Sequence, residues 1–201
     1  MSWTCVLLTE TNQASLSLRR FASAMPCPVS GMGIHDASTP YRTVPLTISA
    51  RGTWQMEHDE PPPKTDPRWP DRCACGYLFE PENTYQVAPS RLYVRQDTGE
   101  QLTLHEAEPG MMWDAPWFLD FNPPWAGPDG RSLVMRLPGN GEWTIDGPSS
   151  TGGGWTRTGE PPTITARPSI LSHGSSARQG YHGWLDAGIL SDDLEGRRYP
   201  V

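Results

Sequence analysis

The segment "RLYVRQDTGEQLTLHE", residues 91–106, reads as a β-hairpin and sets the fold class. Leu92 and Val94 share one face of the first arm, and Leu102 and Leu104 share one face of the second. That is the two-residue period of a half-buried strand. Asp97-Thr98-Gly99 separates the arms, and Gly99 suits the positive φ of a tight turn.

The same pattern recurs on both sides. "RSLVMRLPGNGEWTIDG" (131–147) is a second hairpin turning at Pro138-Gly139-Asn140-Gly141, and "PTITA" (162–166) and "GYHGWLDAGIL" (180–190) add two or three short strands. Between the hairpins, "PGMMWDAPWFLDFNPPWAGPDG" (109–130) is too rich in Pro and Trp for a long helix and predicts one helical turn near Met111 to Trp117. Toward the N-terminus, "WTCVLL" (3–8) predicts a short buried strand. In "TNQASLSLRRFAS" (11–23), Leu16, Leu18 and Phe21 line one side of a short helix capped by Thr11 or Asn12. Residues 41–56 alternate, with Pro45 marking an edge strand. Together these predict a mostly β fold: a small sandwich or partly open barrel of short antiparallel hairpins, with one or two short helices and an irregular N-terminal region. The expected division is an N-terminal strand, helix and Pro-rich loop region over 1–65 and a β-rich core over 66–201.

Composition agrees with a folded, turn-rich chain. Its 201 residues hold 20 Gly and 22 Pro, about a fifth of the total, and only 36% hydrophobic residues. Nine tryptophans nonetheless set it apart from disordered chains, which are poor in aromatics. The formal net charge of -7 and the lack of a basic run argue against a nucleic-acid partner. Basic charge is almost all Arg, with Lys64 the one lysine, as a GC-rich genome would impose. No stretch approaches the roughly 20 apolar residues of a membrane helix, and the N-terminal segment does not read as a signal peptide. The expected location is the cytoplasm, where four cysteines read as metal ligands or core residues before disulfides.

The sharpest chemical feature is "DRCACGYLF" (71–79). Cys73 and Cys75 at i and i+2 of a turn can aim both sulfurs at one point, and Gly76 lets the backbone curl around an ion. Two thiolates alone do not hold a structural zinc, which takes a tetrahedral set of four. Cys27 and His35, in the loop "PCPVSGMGIHDASTP" (26–40), supply the remaining candidates. The competing reading is two small buried thiols beside a turn; a disulfide between such near neighbours is sterically poor.

Elsewhere, His182 lies beside Gly183 in "GYHGWLDAG", where a glycine marks close approach of a backbone or a ligand. It reads as a metal ligand or a general base, and Asp186 is a second catalytic candidate; a strand histidine bonded to a carbonyl is the plainer reading. The serines of "HGSSARQG" (173–180) lack a nucleophile-elbow context, and "TGGGW" (151–155) lacks the Lys and Ser or Thr of a phosphate loop. Asp114 with Asp120 reads as surface acids. Trp113, Trp117 and Trp125 form either a ligand groove or core.

The stretches "DPRWPDRCACGYLF", "RLYVRQDTGEQLTLHEAEPGMMWDAPW", "GPDGRSLVMRLPGNGEWTIDGPSS" and "GYHGWLDAGIL" resemble a family of uncharacterised proteins from phages and prophages of high-GC Gram-positive bacteria, over about residues 66–190. The ending is loosely similar to a broader phage domain of unknown function. The resemblance implies a phage origin and no particular activity. That group carries extra cysteines near the position of "IDGPSSTGGGW"; this chain has none there, so a second metal site is not expected.

The resulting expectation is a phage accessory protein, a zinc-stabilised module that binds a host factor or another phage component in the infected cell. The alternatives are a zinc-dependent hydrolase assisted by His182, and a virion component.

Overall fold

The computed structural model describes residues 1–23, 26–29, 33–48, 54–56, 60–149, 153–173 and 180–193. The protein is mostly β. Its strands are β1 (Ser2–Thr4), β2 (Val6–Ala22), β3 (His35–Ile48), β4 (Trp54–Met56), β5 (Thr84–Arg95), β6 (Gln101–Thr103) and β7 (Met111–Asp114), followed by β8 (Leu133–Leu137), β9 (Gly141–Thr144), β10 (Thr156–Thr158), β11 (Thr165–Ser172), β12 (Tyr181–Asp186) and β13 (Ile189–Asp192). One α-helix, α1 (Trp117–Phe121), and three single turns of 3-10 helix complete the described elements. None of these helices is long and apolar enough to cross a membrane. The chain forms two compact units, Met1–Glu10 with Tyr93–Val201, and Thr11–Leu92. The boundary read from sequence near residue 65 lies inside the second.

The first unit is a β sandwich. One sheet runs β1-β13-β12-β11-β10; the other carries β7, β8 and β9 beside the first residues of β2. "WTCVLL" feeds both sheets. Trp3 pairs with Leu190 of β13, and after a break at Cys5, Val6 to Leu8 run parallel to Met111 to Trp113. Met112, Leu133, Met135, Leu137 and Ile145 meet Ile170, Tyr181, Leu185 and Leu190 between the sheets, all almost fully buried. Tyr93, Leu102, Trp113 and Val134 form a second cluster, so β7 and β8 are buried on both faces. Both predicted hairpins are present, with Gly99 at φ 76° and Gly139 at φ 77°, but the second arm of the first ends at Thr103, Leu104 opens a 3-10 turn, and Tyr93 rather than Leu92 or Val94 clusters with Leu102. β12 and β13 form a third, turning at Ala187-Gly188.

The helical turn expected near Met111 is displaced. Met111–Asp114 is strand β7, paired on both sides, and helix begins only at Trp117, after Pro116.

In the second unit the expected helix over 11–23 is replaced by strand β2. Ala14, Leu16, Leu18, Arg20 and Ala22 are buried in strict alternation, and β2 pairs antiparallel with β3 from Gln13↔Pro45 to Ala22↔His35. The ladder shifts register between Leu16 and Ser17, opposite Pro40 and Arg42, so a proline sits at a bulge, where its missing N–H is tolerated. β3 pairs with β2 as far as Pro45 and with β4 from Leu46, so along Pro45 it has one strand neighbour among the described residues, as the edge-strand reading expects.

A buried ionic clip joins β10 to the segments that follow β9 and precede β8. Arg157, with a side chain 1% exposed, donates from Nε to Asp146 (2.8 Å) and from Nη1 to Asp129 (3.1 Å), while Asp146 also accepts from the Leu133 N–H (2.9 Å). Gly127 lies against the guanidinium, and a Cβ there would overlap Arg157 Nη2 and stand 2.5 Å from Asp146 Oδ1. The guanidinium is held by two carboxylates and has nowhere to move. Gly127→Ala is therefore expected to destabilise the protein by about 2 kcal/mol or more, read as a shift in denaturant midpoint, whereas Gly153→Ala, facing open space, should change it little. The Arg157 side chain also holds the Asp129 carboxyl below its usual pKa. That stabilisation is complete above the unfolded value of about 3.9 and is lost as pH falls through the lower folded value. A denaturation series between neutral and acid pH should show the loss in the wild type and a smaller one in Arg157→Met.

Candidate metal centre

Four side chains of the second unit converge: Cys27, His35, Cys73 and Cys75. Their ligand atoms all lie within 4.8 Å of one another. Cys27 Sγ is 3.8 Å from Cys73 Sγ, and His35 Nδ1 is 3.2 Å from Cys75 Sγ. Cys27, His35 and Cys73 are buried and Cys75 is half-buried; all the cysteines are free thiols. The set can hold a metal ion.

Local structure explains the convergence. Residues 71–79 fold back on themselves: Cys73 donates to the Tyr77 carbonyl (2.9 Å), Phe79 to that of Asp71 (2.9 Å), and Arg72 bridges Leu78. At the tip Gly76 donates to the Cys73 carbonyl (2.9 Å) with φ at 94°. Thus Cys73-Ala74-Cys75-Gly76 is a turn that sets both sulfurs on one side. The opposite half comes from the β2–β3 connection, where His35 opens β3 opposite Ala22 and Cys27 donates to the Gly33 carbonyl (3.2 Å).

Two supports are not visible in the sequence. The Tyr77 ring stacks on His35 at 4.0 Å and 8°, fixing the imidazole plane. Arg20, buried on β2, donates to the carbonyls of Pro70 (3.3 Å) and Glu80 (2.7 Å), which flank the knuckle, and lies over the rings of Phe79 and Tyr85. Arg20 leaves no signal because the apolar residues around it also fit a helical face; Tyr77 stands out only as the aromatic after Gly76.

The electrostatics favour an anionic sulfur. N–H donation from Cys75, with further donation from Asp36 and His35, outweighs burial and brings the Cys73 pKa down to about 6. At Cys75 the Tyr77 N–H favours the thiolate, but desolvation and the sulfurs of Cys27 and Cys73 prevail and push its pKa up. One positive counter-ion would remove that conflict between neighbouring thiolates. His35 Nε2 is buried without a hydrogen-bond partner among the described residues, while Nδ1 faces the sulfurs.

The other candidates are not members of the cluster. Cys5 belongs to the sandwich core, and burial pushes its pKa up to about 12. His182 hydrogen-bonds Asp193 (2.6 Å), and Asp186 pairs with Arg167 (3.0 Å) and bonds Thr165 (3.2 Å). The close approach that Gly183 announced is to protein: a Cβ there would overlap the Ser191 carbonyl and the Tyr181 ring. Trp113 is core at 1% exposure, so the three tryptophans do not share a groove wall; Phe118 instead packs between Trp117 and Trp125. Ser175 and Ser176 of "HGSSARQG" lie outside the described residues.

No family model, curated protein or solved structure matches this chain.

A Cβ at Gly76 would meet open space, so its substitution isolates the backbone requirement. Gly76→Ala is expected to cost about 1 kcal/mol through the positive φ alone and to weaken metal binding by a similar free energy. Chelator competition and thermal denaturation of the metal-loaded protein measure the two effects.

Proposed function

We propose that this chain is a zinc-stabilised protein-binding module of phage origin, acting on a host factor or another phage component. The observation that carries the metal reading is the complete donor set of three cysteines and one histidine. Three soft sulfurs and an imidazole suit zinc. Zinc–sulfur bonds of about 2.3 Å in a tetrahedron place sulfurs roughly 3.8 Å apart, and Cys27 and Cys73 already stand at 3.8 Å. With four protein ligands the tetrahedron is filled, which supports a structural ion over a hydrolytic one. Hydrolysis needs an open position for water or substrate.

The binding reading rests on what the clipped loops display. Val29, two residues after Cys27, and Leu78, three after Cys75, are 63% and 54% exposed. Apolar side chains held out on metal-fixed loops suit contact with another protein. The phage origin rests on the motif resemblance.

Elemental mass spectrometry of the purified protein should find one zinc per chain. Cys73→Ser with Cys75→Ser should lose both the zinc and several degrees of Tm, while Cys5→Ser keeps the zinc. A metal-free wild type that is as stable as the double variant would overturn the metal reading. For the partner, affinity capture from infected cells should retain a protein that Leu78→Asp loses without losing zinc. Equal capture by both would remove this surface from the proposal, and recovery of the chain in purified particles would favour the virion alternative.

A further inference from the structure

We propose that a cavity in the first unit binds an organic cation, an alkylguanidinium or alkylammonium group, on the carboxylate of Asp114. This inference stands apart from the zinc centre. β2 and β7 run parallel as far as the pair Leu8↔Trp113. Beyond it β7 ends at Asp114 and the chain turns off through Pro116, while β2 continues through Thr9 and Glu10. Beside these residues lies a cavity of about 360 Å3, within the range of small-ligand sites.

Its lining specifies the ligand. Leu7, Tyr93 and Pro116 supply apolar surface, and Glu10, Asp114 and Arg131 supply charge. The Asp114 carboxylate favours a cation, as does the chain's net charge of -7. Asp114 is half-buried and makes no ion pair among the described residues; it accepts from the backbone N–H of Ser132 at 3.2 Å. The Arg131 guanidinium stands 3.9 Å from Asp129. Burial raises the pKa of Asp114, the Ser132 N–H and Arg131 opposing it and Asp129 adding to it. A carboxylate that is desolvated without an ion pair gains from a cation brought by a ligand. The apolar surface then takes the alkyl chain that carries the cation. Arg131 is placed to meet an acceptor on the same ligand, a carboxylate or a peptide carbonyl.

A cation of this kind comes either from a free basic amino acid or from an Arg or Lys side chain of a polypeptide. Calorimetric titration of the full chain with free L-arginine, N-acetyl-L-arginine amide and L-citrulline tests the site and separates the sources. An arginine probe should bind saturably. Citrulline, nearly isosteric and uncharged, should bind at least tenfold more weakly, as should arginine to Asp114→Asn. The amide oxygen that this substitution introduces still accepts from the Ser132 N–H, so the variant should fold; Glu10→Gln, in the same lining, provides a second reading. Asp120→Asn, on α1 outside the cavity, should bind like the wild type. Tighter binding of the capped probe assigns the site to a polypeptide side chain, and tighter binding of the free amino acid assigns it to a small molecule. Equal binding of citrulline and arginine, unchanged binding by Asp114→Asn, or no saturable heat from either arginine probe would overturn the proposal. Zinc content measured on the same samples distinguishes failure of this site from failure of the metal centre.

Discussion

The second unit depends on joining two loops that have little apolar surface with which to join themselves. Its buried clusters are small: Ala14, Leu16, Val44 and Leu46 in one, Ala22, Cys27, Cys73 and Phe79 in the other. A fully buried Leu or Phe contributes about 1.5–3 kcal/mol, and most of these side chains are smaller. Ordering the loops that carry Cys27 and Cys73 costs about 1–2 kcal/mol per residue in backbone entropy. An ion held by ligands from both loops would offset that cost with bonds that apolar contacts cannot supply here. The arrangement around it serves this end. Gly76 shapes the turn, Tyr77 fixes the imidazole plane, and Arg20 bonds carbonyls on both flanks of the knuckle.

How much of this is legible depends on sequence distance. Cys73, Cys75 and Gly76 are close neighbours, so a local turn rule is enough to read them. Cys27 and His35 are legible as a Cys and a His that share one Pro- and Gly-rich loop. The β2–β3 ladder that returns them to the knuckle is not. Leu16, Leu18 and Phe21 fit a short helical face, but the period of two is complete only when Arg20 is counted as an inward residue between Leu18 and Ala22. A buried arginine breaks the apolar pattern on which period reading relies. Its burial is explained by carbonyls and aromatic rings supplied by residues 50 or more positions away. The cavity beside Asp114 is illegible for a related reason. It exists because β2 and β7, far apart along the chain, run parallel and then part. The hairpins, whose partners are separated only by a turn, are legible for the same physical reason.

Arginine content shows how composition and structure divide an explanation. A bias of composition toward arginine, with Lys64 the one lysine, does not say where the arginines lie. Arg20 places two nitrogens on two carbonyls with its plane near two rings. Arg136 donates to the Leu104 carbonyl, pairs with Glu142 and lies near the Trp113 ring. Arg157 spans two aspartates. Each uses the planar, multi-donor fork in a buried setting, which a lysine ammonium cannot reproduce. At these three sites the contacts call for arginine. The first unit thus fastens its loops with a buried guanidinium between carboxylates, while the second gathers thiols and an imidazole. The guanidinium clip is a polar cross-link in a chain with 36% hydrophobic residues, and the thiol and imidazole cluster would become one on binding an ion; each would make the fold sensitive to single substitutions that an apolar core of the same volume would tolerate.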